Sequence, residues 1–396
     1  MNIRTSLPQG RRKLRVTHLG KYYPPHPGGM ENYLEQVCGA MVDDVDLRVL
    51  VANDQHRRTN ELVEGVPVNR LATYGTLART PLVPSFFSEL NNPKPDIFHL
   101  HHPNPVPTLA LLLEMDVRRS KLVISYQAEI THQKFLNKFF EPLLHFVCER
   151  ASAIIASSPN MIEHSKFLAA HREKCHVIPL PISAADWDRG TNIKNAATLR
   201  AEAKRPVVLS VGRLVYYKGF EYLIAAMAKV NADLWIVGEG PQRAHLEQCI
   251  RDAGVQDKVK LLGKVDRVQD YYAAADIFAL ASINEAEAYG IVQMEAMASR
   301  LPVVNTSLPS GVPYVSRSNE SGLTVPPRDI DALASAINSL LGNESMRCEF
   351  GEAARRRVET EFDIQRVKER TLELYYRVTG AELDTVVSVE SPALAL

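Results

Sequence analysis

Cysteine is scarce: the chain has five in 396 residues (Cys38, Cys148, Cys175, Cys249, Cys348), and none stands in a Cys-x-x-Cys pair. A sparse, odd-numbered set excludes a disulfide-stapled secreted domain and reads as small buried hydrophobes in a reducing compartment. Charge of one sign is also missing, because 46 Lys and Arg balance 46 Asp and Glu. General attraction to polyphosphate is therefore not the main property of the molecule, and no nucleic-acid partner is expected. No apolar run reaches the length of a bilayer span. The N-terminus, MNIRTSLPQGRRKLRV, carries basic residues without the apolar stretch of a secretory signal. The expected location is the cytoplasm, with a peripheral seat on the inner face of the cell membrane left open.

What is present is an ordinary globular composition, 45 % hydrophobic and 23 % charged. The length suggests two large domains. Short β-branched runs alternate with amphipathic segments, the pattern of βα units around parallel sheets. Strands are expected at 14–19, 47–52, 66–71, 97–101, 122–126, 153–157 and 177–180, then at 207–211, 234–237, 259–262, 277–281, 303–305 and 323–325. A polar stretch between the two series reads as a linker. The fold class is α/β, with two Rossmann-like doubly wound domains facing a central cleft. The boundaries are 1–183 for the first domain, 184–205 for the linker and 206–362 for the second domain. A C-terminal helix at 363–379 is expected to return to the first domain, with a flexible tail at 380–396.

Five groups of residues carry candidate chemistry. Gly28-Gly29-Met30-Glu31 follows the first strand and opens a helix, where backbone amides suit an anion. Gly212-Arg213 and Lys218-Gly219 lie just beyond another strand, and two cations there suit a diphosphate. In the third, Glu287 and Glu295 are eight positions apart, about 80° around a helix and about 12 Å along it. If Gly290 starts that helix, the two acids flank an anion pocket made by the amides of Gly290, Ile291 and Val292. A pair of solvated glutamates is the plain alternative. The fourth is Phe98-His99-Leu100-His101-His102. It invites a metal reading, but His99 and His101 share a strand face, His102 points away, and no third ligand is evident. Polar strand ends lining the cleft are the reading preferred. Asp44-Val-Asp46 sits at the start of a strand and reads as turn chemistry.

The fifth is the aromatic helix HQKFLNKFFEPLLHFVCER. Its first part, with Lys134, Phe135, Lys138 and Phe139, is open to a membrane-interface or a core reading; the remainder reads as core. Arg11, Arg12 and Lys13 would add to any membrane-facing charge.

Taken in order, Gly28-Gly29-Met30-Glu31, Gly212-Arg213 with Lys218-Gly219, Val237-Gly238-Glu239-Gly240-Pro241 and the E-x7-E stretch resemble glycosyltransferase family 4, retaining GT-B enzymes. The likeness spans about Leu14 to Val378. Two further stretches, SSPNMIEHSKFLAAHREKCHVIPLPI and VVNTSLPSGVPYVSRSNESGLTVPP, are similar to transferases of mannose from GDP-mannose in O-antigen and exopolysaccharide assembly. The subgroup suggested is the GDP-mannose:cellobiosyl-diphosphopolyprenol α-mannosyltransferases of acetan and xanthan type. The resemblance implies a metal-independent enzyme with no cofactor, a nucleotide-sugar donor and a polyprenyl-diphosphate-linked acceptor. It implies donor binding by Gly29, Arg213, Lys218, Glu239, Gly290, Ile291, Val292 and Glu295, with Glu287 holding the reacting sugar. The family has a His near that sugar where this chain reads Tyr126-Gln127-Ala128-Glu129. Gln127 can hydrogen-bond a hydroxyl but cannot carry a proton at neutral pH. Two alternatives stay open: a family 4 transferase using another donor such as UDP-glucose, and a non-catalytic two-lobed sugar-nucleotide-binding protein.

Overall fold

Strands rich in Val, Ile and Leu and buried on both faces are what a parallel sheet requires, and two such sheets form. The computed structural model describes residues 12–77, 80–90, 93–113, 120–127, 134–188 and 193–381, with backbone alone at 134–141 and 193–194. The chain divides into two compact bodies. The described residues of Met1–Gln127, Gln133–Ile155 and Lys368–Leu396 form one, and those of Ala156–Val367 form the other.

The strands of the first half are β1 (Arg15–Leu19), β2 (Asp46–Ala52), β3 (Thr59–Val63), β4 (Val66–Leu71), β5 (Thr76–Leu77), β6 (Thr80–Pro81), β7 (Ile97–His102), β8 (Lys121–Tyr126), β9 (Ala153–Ala156) and β10 (Cys175–Val177). In the first body the order is β9-β8-β7-β1-β2-β4-β3, while β5 and β6 pair only with each other. β1 lies between β2 and β7, parallel to both, so the strand order reverses there. The carboxyl ends of β1 and β7 are the place where such a sheet leaves a ligand crevice.

Besides the two-residue strands β5 and β6, which were not expected, two longer strands depart from expectation. β3 was not expected, because TNELV is an antiparallel edge strand with no buried residue. A two-residue turn makes it: Glu64 and Gly65 both take positive φ, 49° and 85°, the twist a tight hairpin favours. β10 lies earlier than expected, at Cys175–Val177 rather than 177–180. Pro179 and Pro181 supply no ladder donor and end it.

The second body holds β11 (Val207–Val211), β12 (Asp233–Val237), β13 (Val259–Gly263), β14 (Ile277–Ala279), β15 (Val303–Thr306) and β16 (Gly322–Val325), in the order β13-β12-β11-β14-β15-β16. Alternate residues feed two cores. Val207, Leu209, Trp235, Val237 and Phe278 face one; Val208, Leu234, Ile236, Ile277 and Ala279 face the other. Here the switch point lies between β11 and β14, which are parallel and in register at Val208–Ile277 and Leu209–Phe278.

The polar stretch read as a linker is more regular than expected. It contains a 3₁₀ turn at Ala184–Trp187 and a ten-residue helix at Ile193–Glu202. The compact bodies part at Ile155 and Ala156 rather than near Ser183. Most of the tail from 380 lies outside the described residues. The last helix, Ile364–Thr379, contributes its part from Lys368 onward to the first body. There the Lys368 ammonium meets the Asp44 carboxylate at 3.4 Å, so Asp44 is held in an ion pair as well as in a turn.

The cysteines divide. Cys38 and Cys148 are buried as expected, whereas Cys175 and Cys249 are half-buried and Cys348 is exposed. In the aromatic helix Lys134–Arg150, Val147 and Cys148 are buried, but Phe146 is 52 % exposed and is not the core residue expected.

Candidate functional site

In the second body, two loops leave the sheet at its switch point and meet. The first runs from β11 through Gly212 and Arg213 to a 3₁₀ turn at Tyr216–Lys218. The second runs from β14 through Ser282 to Glu287. Backbone atoms join them, because the Ile283 amide donates to the Tyr217 carbonyl at 2.9 Å. Gly219 makes this approach feasible: its φ is +64°, and a Cβ would lie 2.1 Å from the Ala281 carbonyl oxygen.

The meeting of the loops brings Lys218 Nζ to 2.5 Å from Glu287 Oε2. Ser282 Oγ donates to the same carboxylate oxygen at 2.8 Å. Lys218 is 9 % and Glu287 7 % exposed, so this is a nearly buried ion pair with a supporting hydroxyl. The stem of Lys218 lies over Gly212, where a Cβ would meet its Cε at 3.3 Å. A third loop packs below, since the Gly212 amide donates to Val237 and the Leu214 amide to Glu239, each at 2.9 Å. Gly238 and Gly240 are required there by proximity: Cβ atoms would lie 2.0 Å from the Gly212 carbonyl and 2.4 Å from the Leu214 carbonyl.

Gly290 caps the helix Ile291–Ala298 in the left-handed conformation, so this residue starts the helix as its spacing suggested. Glu287 thus stands on the preceding loop and Glu295 one turn inside the helix. Ile291, at the helix start, is 40 % exposed, whereas Met294, Ala296, Met297 and Ala298 are fully buried. Glu295 Oε2 accepts from the Tyr272 hydroxyl at 2.7 Å. Loss of hydration pushes its carboxyl up to about 7, against the opposing pull of the Tyr272 hydroxyl and the Lys218 charge. Ser282 and Tyr272 were not singled out from sequence; each is a common residue type, found only once the strands place it.

The raised carboxyl has a signed consequence. Between about 4.5 and about 7 the folded chain holds a proton on Glu295 that the unfolded chain has lost. Stability from this group is full below 4.5 and is lost as pH rises through 7. The difference in melting temperature between wild type and Glu295→Gln is therefore expected to shift against the wild type across that window, then to level off. A difference independent of pH from 4 to 8 would contradict it.

Arg213 and Glu239 are both exposed, on neighbouring loops. The expected cationic pair is therefore unequal, with Lys218 enclosed and Arg213 in solvent. Val292 is half-buried at the helix start.

In the first body, Gly29 begins the helix Gly29–Met41. The close contact falls on Gly28 instead: a Cβ there would lie 2.0 Å from Glu31 Oε2, whereas Gly29 has nothing within 4 Å. The buried Glu31 thus folds back over Gly28.

The histidines depart furthest from expectation. The register of β1 with β7 sets His18 opposite His99, which supplies the third imidazole that sequence spacing did not reveal. His18, His99 and His101 offer donor atoms within 4.8 Å of one another. They are buried in a hydrogen-bonded network rather than lining a strand end. His18 Nδ1 meets His101 Nε2 at 2.9 Å. His99 reaches the Tyr375 hydroxyl at 2.5 Å and Ser125 Oγ at 2.7 Å, and Tyr375 also reaches His18 Nε2 at 3.2 Å. Burial holds these imidazoles well below the usual histidine range, with added repulsion from His101 on His18 and from His101 and His18 on His99.

His102, expected to point away, is buried too and stacks on Tyr126 at 4.9 Å between centroids. Both its ring nitrogens, Asn104 Nδ2 and Gln127 Nε2 are buried and find no hydrogen-bond partner among the described residues. All three residues stand at the carboxyl ends of β7 and β8, and buried polar atoms left open at strand ends mark a place for a polar ligand.

Lys134, Phe135, Lys138 and Phe139 have side chains outside the described residues, as does Ala128–His132. Of the basic N-terminal residues, Arg11 is also outside them. Arg12 grips both oxygens of Asp96 at 2.5 and 2.6 Å, and Lys13 donates to the Asp43 carbonyl at 2.5 Å. Both contacts lie at the surface, with the Arg12 side chain still 63 % exposed. Among the described residues no helix is long and apolar enough to cross a membrane.

Two family models match: "Glycosyl transferase 4-like domain" over residues 28–181 and "Glycosyl transferases group 1" over residues 192–357. O-antigen chain mannosyltransferase C of Escherichia coli is 26 % identical over 366 residues, 91 % of this chain and 98 % of that one. D-rhamnosyltransferase WbpZ of Pseudomonas aeruginosa is 28 % identical over 356 residues, 87 % and 91 % of the two chains. The crystal structure of Anabaena Alr3699/HepE in complex with UDP superposes with a TM-score of 0.74, 20 % identity and coverage of 91 % and 99 %, a likeness of fold. The chain is thus a family 4-like glycosyltransferase of the GT-B fold, with a glycosyl transferase 4-like domain followed by a group 1 domain.

Proposed function

We propose that the protein moves mannose from GDP-mannose, with retention, onto a polyprenyl-diphosphate-linked oligosaccharide, a cellobiosyl lipid being the first candidate, in exopolysaccharide assembly. The observation that carries the reading is the enclosed Lys218–Glu287 pair at the β11–β14 switch point, 2.5 Å across. A departing nucleoside diphosphate carries developing negative charge, and a fixed ammonium in a site poor in water stabilises it strongly. In this reading the diphosphate draws Lys218 away from Glu287. The freed carboxylate, still oriented by Ser282, holds sugar hydroxyls and steadies the oxocarbenium-like centre. Arg213, exposed on the same loop as Lys218, closes on the outer phosphate, and the start of the Ile291–Ala298 helix adds its positive end. Charge is neutralised by protein groups, so the scheme needs no divalent cation.

Glu295 takes the nucleotide ribose in this proposal, and its raised carboxyl suits it to donate as well as accept. The open atoms of His102, Asn104 and Gln127 receive hydroxyls on the first body. With no nucleophile assigned, the leaving phosphate takes the acceptor proton on the same face of the sugar. The name of the Escherichia coli relative supports mannose as the transferred sugar.

The test is a donor screen on purified protein with a cellobiosyl-diphosphate lipid, followed by anomeric analysis. The expected outcome is turnover with GDP-mannose at least about tenfold above UDP-glucose, yielding the α-anomer. Preference for a UDP-sugar overturns the donor, and a β-product overturns retention. Binding of the nucleotide sugar without transfer or slow hydrolysis would favour a non-catalytic binding protein.

A further inference from the structure

Outside the candidate site, three metal-ligating side chains of different chemistry converge on the surface of the second body. His245 and Cys249 are one turn apart on the helix Arg243–Asp252, and Glu221 is in the first turn of the helix Phe220–Ala226. His245 Nε2 lies between the others, 2.8 Å from Glu221 Oε2 and 3.6 Å from Cys249 Sγ. The three donor atoms fall within 4.8 Å of one another. Their placement follows from the fold. Leu246 and Ile250 bury the inner stripe of the helix against a core that includes Phe220 and Leu223, which fixes the residues one position earlier beside Glu221.

We propose that Glu221, His245 and Cys249 form a binding site for Zn²⁺, with the fourth position open to water. Nitrogen, thiolate and carboxylate ligands are those zinc prefers, and three protein ligands leave one place free. Bond lengths of about 2.0 Å to nitrogen or oxygen and about 2.3 Å to sulfur put tetrahedral ligand atoms about 3.3 to 3.6 Å apart. The His245–Cys249 separation already matches. The Glu221–His245 separation must open by roughly half an ångström on that geometry, and both side chains have room, being 26 % and 52 % exposed. Binding replaces the thiol proton, released to solvent, with a sulfur–zinc bond, and no electron is transferred.

The trio of buried histidines in the first body is a weaker candidate. Its nitrogens are committed to one another, to Tyr375 and to Ser125, with only His101 Nδ1 lacking a partner.

The proposed site has a position of consequence. Glu221 follows the loop that carries Lys218, and the helix bearing His245 follows Gly240-Pro241. A cation there would clamp together the helices that anchor two of the three loops at the candidate site. That consequence rests on the reading of those loops, but zinc binding does not, and its test needs no transfer assay.

Titration of the full-length protein with Co²⁺ in place of zinc is the direct experiment. A near-ultraviolet band from sulfur-to-cobalt charge transfer and visible bands of a tetrahedral centre are expected, saturating at one cobalt per chain and displaced by Zn²⁺. Cys249→Ser should abolish the near-ultraviolet band, and His245→Asn should weaken cobalt binding at least about tenfold. Glu221→Gln should weaken it by less. Cys348→Ser should change nothing, because that thiol lies elsewhere. Far-ultraviolet circular dichroism of each variant checks its fold without reference to the metal. A charge-transfer band that survives Cys249→Ser, or no cobalt spectrum in the wild type, overturns the proposal.

Discussion

Lys218→Met is expected to lower kcat/KM by about a hundredfold or more, with most of the fall in kcat. Removing one preorganised charge donor from a site of this kind costs roughly 3 kcal/mol of transition-state stabilisation. The loss belongs in kcat because charge on the leaving diphosphate grows as the glycosidic bond breaks, so the ammonium binds the transition state more tightly than the bound donor. Steady-state kinetics with the preferred donor measures it. A fall below threefold would remove Lys218 from the proposed chemistry. A fall confined to KM would make it a group that binds ground state and transition state alike. Arg213→Ala serves as the comparison. Its guanidinium is exposed, so its removal should cost less than that of Lys218, and more of that cost should appear in KM.

That ranking of the two cations was not available from the sequence. Gly212-Arg213 and Lys218-Gly219 read as an equivalent pair, because distance along a loop does not reveal which side chain turns inward. What decides it is Gly219 against the Ala281 backbone and the space that Gly212 leaves over its missing Cβ, both products of tertiary packing. The parallel strands were legible for a simpler reason. Runs such as VVLSV and DLWIV are apolar on both faces, and this pattern survives in any register. The edge strand β3 has no buried residue to announce it. The helix at Ile193–Glu202 was obscured by the polar residues around it.

The histidines mark the same limit. Alternation along β7 gave the shared face of His99 and His101, but His18 joins them through the pairing of β1 with β7, which no local spacing encodes. Glu287 and Glu295 were placed correctly around Gly290 because helix geometry is local. Their partners, Ser282 and Tyr272, lie on other segments and had no signal of their own.

Glu287→Gln provides the second large effect and separates chemistry from stability. The substitution keeps the size of the side chain and a hydrogen-bond acceptor for Ser282, but leaves the Lys218 ammonium nearly buried opposite a neutral group. Breaking such a pair from one side costs about 3 kcal/mol of folding stability, and catalysis is expected to fall at least about a hundredfold as well. Lys218→Met strands the carboxylate in turn and should destabilise by a similar amount. In the double variant Lys218→Met/Glu287→Gln neither charge is stranded. Its stability is therefore expected to recover above that of either single variant, while its activity stays as low as that of the worse one. Urea unfolding and initial rates on the four proteins complete the cycle. Additive losses of stability would mean that the ammonium and carboxylate are solvated independently, despite their 2.5 Å separation. Activity that recovered along with stability would mean that the pair supports the loops without handling charge on the donor.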